Sequence, residues 1–191
     1  MGNIVLVTGG ARSGKSSFAE NLAKKINGDI LYIATAIAFD EEMKLRIKKH
    51  KADRPEEWHT HEGYKNLDET VLNKGAHVKG ILIDCVTIMV TNLMFDSIGL
   101  ENDNPMTADF EIAEATIKAE VERLIAALKA SAADTILVTN EVGMGIVPEN
   151  KLTRAYRDIA GRINRQIAQS SNEVYLVVCG IPMKIKHSWN E

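Results

Sequence analysis

The chain has 191 residues, 45% hydrophobic and 26% charged, with a formal net charge of −3. These proportions suit one globular domain with a buried core, and the missing basic excess argues against a dedicated nucleic-acid binder. Two cysteines, Cys85 and Cys179, exclude a disulfide scaffold; each ends an apolar run and is read as a buried, reduced thiol. The N-terminus shows no signal-peptide pattern and no apolar run approaches membrane-spanning length, so the expectation is a cytoplasmic protein without a membrane span.

Taken in order, apolar runs alternate with helical patterns, which predicts an α/β fold with a mostly parallel sheet flanked by helices. The first strand (residues 3–8) runs into Gly9-Gly10-Ala11-Arg12-Ser13-Gly14-Lys15-Ser16, and a helix pattern follows over 15–25. This is G-x-x-x-x-G-K-[ST] in its required context of strand, turn and helix, and it predicts a three-layer P-loop NTPase-like fold. Backbone N–H groups of such a turn and the positive end of the helix hold a polyphosphate from several sides. Lys15 then supplies a point charge to the β- and γ-phosphates, and the Ser16 hydroxyl is a candidate Mg²⁺ ligand.

The second strand (30–34) ends in Tyr32-Ile33-Ala34-Thr35, at the sheet edge where ligands collect in open α/β folds. A helix over 41–51 has an acidic first turn and basic last turns. Met43, Ile47 and His50 share its apolar stripe. Surrounded by Arg46, Lys48, Lys49, Lys51 and Arg54, His50 is kept neutral, hence either a nucleophile or a hydrogen-bonded helix-end histidine. His59 and His61 have H-x-H spacing without further ligands nearby and read as solvent-facing loop histidines, with Glu62 beside them a candidate ligand contact.

The third strand, 80–84, ends in Asp84, where a carboxylate would hold Mg²⁺ directly or through water. A helix over 86–95 and a polar loop over 97–108 lead to a long amphipathic helix over 110–130. The strand over 135–139 delivers Asn140 and Glu141, which either orient a nucleophile or lie in an ordinary turn. A helix over 153–169 carries Arg154, Arg157, Arg162 and Arg165, and a strand over 173–179 is followed by a loop or short edge strand over 180–186. Residues 1–186 read as a single nucleotide-binding catalytic domain and 187–191 as a tail.

Together, Gly9–Ser16, Tyr32-Ile33-Ala34-Thr35, Arg46–Lys51 with Arg54-Pro55, and the run from Thr139 to Asn150 resemble the bifunctional adenosylcobinamide kinase / adenosylcobinamide-phosphate guanylyltransferase family of cobalamin biosynthesis. The resemblance implies two reactions. One phosphorylates adenosylcobinamide with ATP or GTP, and the other transfers GMP from GTP to that phosphate, giving adenosylcobinamide-GDP and pyrophosphate. It implies that His50 is the guanylylated residue of the GMP transfer, while Lys15 is the catalytic charge for the phosphoryl transfer. It places nucleotide contacts on Gly9, Gly10, Ala11, Arg12, Ser13, Gly14, Lys15 and Ser16, on Ile33, Ala34 and Thr35, on Lys51, Ala52, Asp53 and Arg54, and on Glu62 and Asp84. It further implies a homotrimer with sites at subunit contacts and a small-molecule corrinoid substrate. Two other readings fit the loop alone: a monofunctional P-loop small-molecule kinase in which His50 is structural, and a nucleotide-driven recombinase-type ATPase.

Overall fold

The computed structural model describes residues 2–38, 41, 44, 51, 55–99, 102 and 105–187. Among them, strands β1 (Ile4–Gly9), β2 (Ile30–Ala34), β3 (His59–Glu62), β4 (Gly80–Asp84), β5 (Asp134–Asn140), β6 (Glu173–Val178) and β7 (Ile181–Lys186) form one sheet in the order β3-β2-β4-β5-β1-β6-β7. All neighbours are parallel except β6 and β7, which form an antiparallel hairpin. The helices are α1 (Lys15–Ala23), α2 (Leu67–Asn73), α3 (Val86–Ile98), α4 (Thr107–Ala130) and α5 (Lys151–Ser170).

The apolar runs of the central strands serve two cores at once. Ile4, Leu6, Ile81, Ile83 and Leu137 pack on one face with α2 to α5, while Val5, Val7, Leu82, Ile136 and Val138 pack on the other with Ala19 and Ala23 of α1. Side chains alternate across a strand, so a strand covered on both sides is apolar throughout, as the parallel-sheet pattern requires. Each large side chain so buried contributes about 1.5–3 kcal/mol. The outcome is a three-layer α/β fold.

β1 lies inside the sheet, with β5, β4, β2 and β3 on one side of it and β6 and β7 on the other. The crevice outside the carboxyl ends of the strands, where the winding changes side, is the binding edge of such sheets. Register aligns that edge: Glu62 stands opposite Ala34, Ala34 opposite Asp84, and Gly9 opposite Asn140.

The structure departs from the sequence expectation at several places. His59 and His61 belong to an edge strand rather than a loop; His-Thr-His-Glu has no apolar alternation because its side chains are mostly exposed. Helix α2 went unseen because it is short and buries only Leu67 and Val71. Residues 181–186 form a full antiparallel edge strand, and α3 continues to Ile98 into the stretch expected to be loop. Cys85 is buried as expected, but Cys179 is exposed because it stands in the β6–β7 turn and not on the strand. Of the helix expected over 41–51, Glu41, Lys44 and Lys51 are described and helical. His50, Ala52, Asp53 and Arg54 lie outside the described residues, as do 188–191 of the tail.

Candidate functional site

β1 enters the loop at Gly9, and the chain turns through Arg12 in the left-handed region (φ +56) and Gly14 (φ +93) before α1 begins at Lys15. Glycine is needed at 14 twice over. Side chains rarely adopt that φ, and a Cβ there would stand 3.1 Å from the Cα of Gly180. Ser13 N–H donates to the Gly10 carbonyl at 3.3 Å, and the Phe18 N–H to the Gly14 carbonyl at 3.0 Å. α1 has no side-chain cap on its first N–H groups and no acid in its first turn. An uncapped, acid-free helix start leaves donors and a positive dipole end for an external anion.

Lys15 is buried, and its Nζ donates to the Gly10 carbonyl at 3.1 Å, which curls the ammonium back over the loop. Gly10, Ala11 and Arg12 are exposed, Ser16 is half-buried, and the Ser13 Oγ is buried with no hydrogen-bond partner among the described residues. A buried hydroxyl in that state costs about 1–3 kcal/mol unless a ligand satisfies it.

Asp84, half-buried at the end of β4, accepts a hydrogen bond from the Tyr32 hydroxyl on Oδ2 at 3.2 Å. Tyr32 in turn stacks on Trp58, ring centroids 6.2 Å apart. Ile33, Ala34 and Thr35 are buried, so they shape the floor of the edge. Thr35 clasps β2 to β4: its Oγ1 donates to the Cys85 carbonyl at 2.8 Å and accepts from the Cys85 N–H at 2.9 Å, while Asn92 Nδ2 donates to its carbonyl at 2.9 Å. Burial and the neighbouring Asp84 carboxylate push the Cys85 thiol up, so it stays protonated. At the far end of the row, Glu62 pairs with Lys51 at 2.6 Å, an exposed bridge worth at most about 1 kcal/mol.

The end of β5 is held by side chains that no sequence pattern marks. Asn140 Nδ2 donates to Thr87 Oγ1 at 2.8 Å, and Asn164 Nδ2 donates to the Asn140 carbonyl at 3.0 Å. Thr139 Oγ1 donates to Asn164 Oδ1 at 2.6 Å, and the Tyr156 hydroxyl to the Thr87 carbonyl at 3.2 Å. Glu141 is tied to the phosphate loop through its N–H, which donates to the Gly9 carbonyl at 3.0 Å, and its Oε1 accepts from the Gly143 N–H at 2.6 Å. Asn140 and Glu141 therefore stand between the phosphate loop and Asp84 on a fixed backbone. Two arginines of α5 serve the fold instead: Arg154 donates to the Pro148 and Glu149 carbonyls, and Arg162 pairs with Glu114 of α4.

Four of the five histidines are described, and none offers a free imidazole at the carboxyl edge. His61 Nδ1 faces Lys74 Nζ and its Nε2 faces Thr70 Oγ1, each at 3.2 Å. An ammonium only donates, so Nδ1 accepts, the proton sits on Nε2, and no lone pair remains for attack. His59 begins β3 at its opposite end from Glu62; His77 ends a 3-10 turn that leads into the start of β4, and His187 follows β7. Burial first, and the Lys74 ammonium second, hold the His61 imidazole below its ordinary value of 6.5. Unfolding lets it take up a proton, so its contribution is present above about pH 6.5 and lost as pH falls through the lowered folded value. The melting temperature is therefore expected to fall on acidification through that range. The fall should be smaller in His61→Gln, whose amide keeps both contacts without titrating; equal slopes in a thermal-melt series would count against the assignment.

Among the described residues no group of three or more His, Cys, Asp or Glu is placed to hold a metal ion, and no helix is long and apolar enough to cross a membrane. Ser16 and Asp84 supply oxygen donors, the kind that Mg²⁺ accepts together with substrate phosphates and water.

Comparison with known proteins bears on residues 5–185, which match the model of the family described as cobinamide kinase / cobinamide phosphate guanyltransferase. The chain is 50% identical over 183 residues to the bifunctional adenosylcobalamin biosynthesis protein CobU of Escherichia coli K12, covering 96% of this chain and 99% of that one. It is 39% identical over 181 residues to the bifunctional adenosylcobalamin biosynthesis protein CobP of Pseudomonas aeruginosa, covering 95% and 96%. A crystal structure of the RadB recombinase superposes with a TM-score of 0.49 at 11% identity, over 91% of this chain and 73% of that one.

Proposed function

Because the chain belongs to the cobinamide kinase / cobinamide phosphate guanyltransferase family, we propose that it catalyses both reactions on its carboxyl edge. It phosphorylates adenosylcobinamide with ATP or GTP, then transfers GMP from GTP to that phosphate through a guanylylated His50. The observation that carries the reading is the phosphate loop: an uncapped helix start, a buried Lys15 curled over it, and an unpartnered Ser13 hydroxyl inside it. A phosphate oxygen supplies the acceptor that this hydroxyl lacks, and Ser16 with Asp84 would hold Mg²⁺, which neutralises phosphate charge when bound.

In the kinase step the loop N–H groups and Lys15 hold the β- and γ-phosphates while the acceptor hydroxyl lies in line, so positioning and charge supply most of the catalysis. Asn140 and Glu141, fixed between loop and Asp84, orient that acceptor. In the transferase step a neutral imidazole nitrogen of His50 attacks the α-phosphorus and the bond to the pyrophosphate oxygen breaks. A phosphate oxygen of adenosylcobinamide phosphate then attacks the same phosphorus and the P–N bond breaks, restoring the imidazole. Support for His50 comes from the other histidines, each engaged or remote, and from Lys51, its neighbour in sequence, which is tied to Glu62 at the carboxyl edge. Lys51 and Arg54 offer charge to the departing pyrophosphate.

The homotrimer is part of the same reading. Exposed Ile181, Met183 and Ile185 share one face of β7, and Met144, Ile146 and Val147 are exposed on the loop before α5, apolar side chains that a neighbouring subunit would cover. Nucleoside triphosphate and corrinoid substrates fit a cytoplasmic enzyme. Incubation with adenosylcobinamide, Mg²⁺ and ATP or GTP should yield the phosphate ester, and further GTP should yield adenosylcobinamide-GDP with pyrophosphate. Formation of the ester alone would favour the monofunctional kinase, and formation of neither product would contradict the proposal.

A further inference from the structure

In an anion-binding turn the peptide N–H groups face the ligand, so the carbonyl across each peptide plane faces outward and needs a donor of its own. The Ser13 carbonyl finds that donor outside the loop motif: the Gly180 N–H donates to it at 2.8 Å. A trans peptide is planar, with C=O and N–H pointing to opposite sides, so pinning the Ser13 oxygen sets the direction of the Gly14 N–H. Gly180 belongs to the two-residue turn Cys179–Gly180, closed by the pair Val178 and Ile181. Both turn residues have positive φ, +51 at Cys179 and +79 at Gly180, as a type I′ hairpin demands. The contact is close enough that a Cβ on Gly14 would stand 3.1 Å from the Gly180 Cα and press the turn outward.

We propose that the β6–β7 turn is a working part of the phosphate site and that Gly180 is a positioning residue, aiming the Ser13–Gly14 peptide at the triphosphate. The proposal rests on the phosphate loop being the nucleotide site. Among the described residues nothing lies within 4 Å of where a Cβ on Gly180 would stand, so a side chain there acts through φ and not through collision. That separates the effect of turn geometry from simple crowding. Asparagine tolerates the left-handed region, whereas a β-branched residue does not. A turn pulled away from this φ draws the N–H off Ser13 and lets the peptide plane rotate.

The test compares Gly180→Val, Gly180→Asn and Cys179→Asn in the full chain, by calorimetric titration with ATP and with GTP, steady-state kinetics and thermal melts. Gly180→Val is expected to raise the Kd and KM for triphosphate by about tenfold, with kcat changed less than about twofold. Gly180→Asn should restore wild-type affinity, and Cys179→Asn should keep it while raising the melting temperature, because a strained residue is replaced by one suited to the turn. If Gly180→Val fails to fold, Gly180→Ala carries the comparison, with the same direction expected. A folded Gly180→Val or Gly180→Ala with wild-type affinity overturns the proposal, as does equal weakening by Asn and by the other side chains. Lys15→Ala run alongside distinguishes the two readings. If it also binds triphosphate normally, the phosphate-loop reading has failed; if it alone loses binding, only the role of Gly180 has.

Discussion

Lys15→Ala will lower kcat/KM for cobinamide phosphorylation by about 100- to 1,000-fold, while the protein keeps its fold. Lys15 is buried, yet its ammonium lies on the Gly10 carbonyl, turned back over the turn and not outward to solvent. It stands at the N-terminal end of α1, whose first turn carries no acid, on the side where a phosphate would meet the helix dipole. Removing it leaves the β- and γ-phosphates held by N–H dipoles alone as charge shifts in the transition state. Alanine is the best helix former, so α1 does not lose its first turn. Lys15→Arg should rescue little, because a planar fork does not fit where a point charge is curled over a tight loop. Steady-state kinetics beside a thermal melt check this; a variant that melts normally and phosphorylates at the wild-type rate would remove the loop from the mechanism.

His50→Ala will separate the two reactions: GMP transfer falls by at least about 1,000-fold, as expected for a lost nucleophile, while cobinamide phosphorylation continues. The physical basis is a division of labour. Phosphoryl transfer to an alcohol needs positioning and charge, the roles proposed for Lys15, Ser16 and Asp84, and no covalent intermediate. Attack on the α-phosphorus needs a nucleophile, and the described histidines do not supply one. His61 has its Nδ1 lone pair on Lys74 and its proton shared with Thr70, so His61→Gln should leave GMP transfer in place. Loss of both activities together in His50→Ala would make the residue structural. Retention of both would show that GMP transfer does not pass through His50.

The phosphate loop was legible because its chemistry constrains the backbone: only glycine fits at 14, and lysine and hydroxyl follow at fixed positions. β1, β2, β4, β5 and β6 were legible because strands covered on both faces are apolar throughout. β3 was not, since an edge strand exposed to solvent reads as polar loop, and α2 was too short to show a period. The same local reading placed Cys179 in the core, when a two-residue turn carries it to the surface. The side chains that fix the end of β5 were out of reach for another reason. Thr87 and Asn140 are joined across a separation of 53 residues, and Asn164 reaches Asn140 from 24 residues away. No local pattern announces such bonds. The Gly180 contact with the phosphate loop is of the same kind, a hairpin turn meeting a motif more than half the chain away.

GMP transfer through His50 requires one covalent bond, between the imidazole and the α-phosphorus. Protein incubated with GTP and Mg²⁺, quenched in alkali, digested and mapped by mass spectrometry should carry GMP on the peptide containing His50, and the mass should vanish when adenosylcobinamide phosphate is added. GMP on the peptide of His59 or His61, or none on the protein while transfer to the corrinoid proceeds, would contradict it.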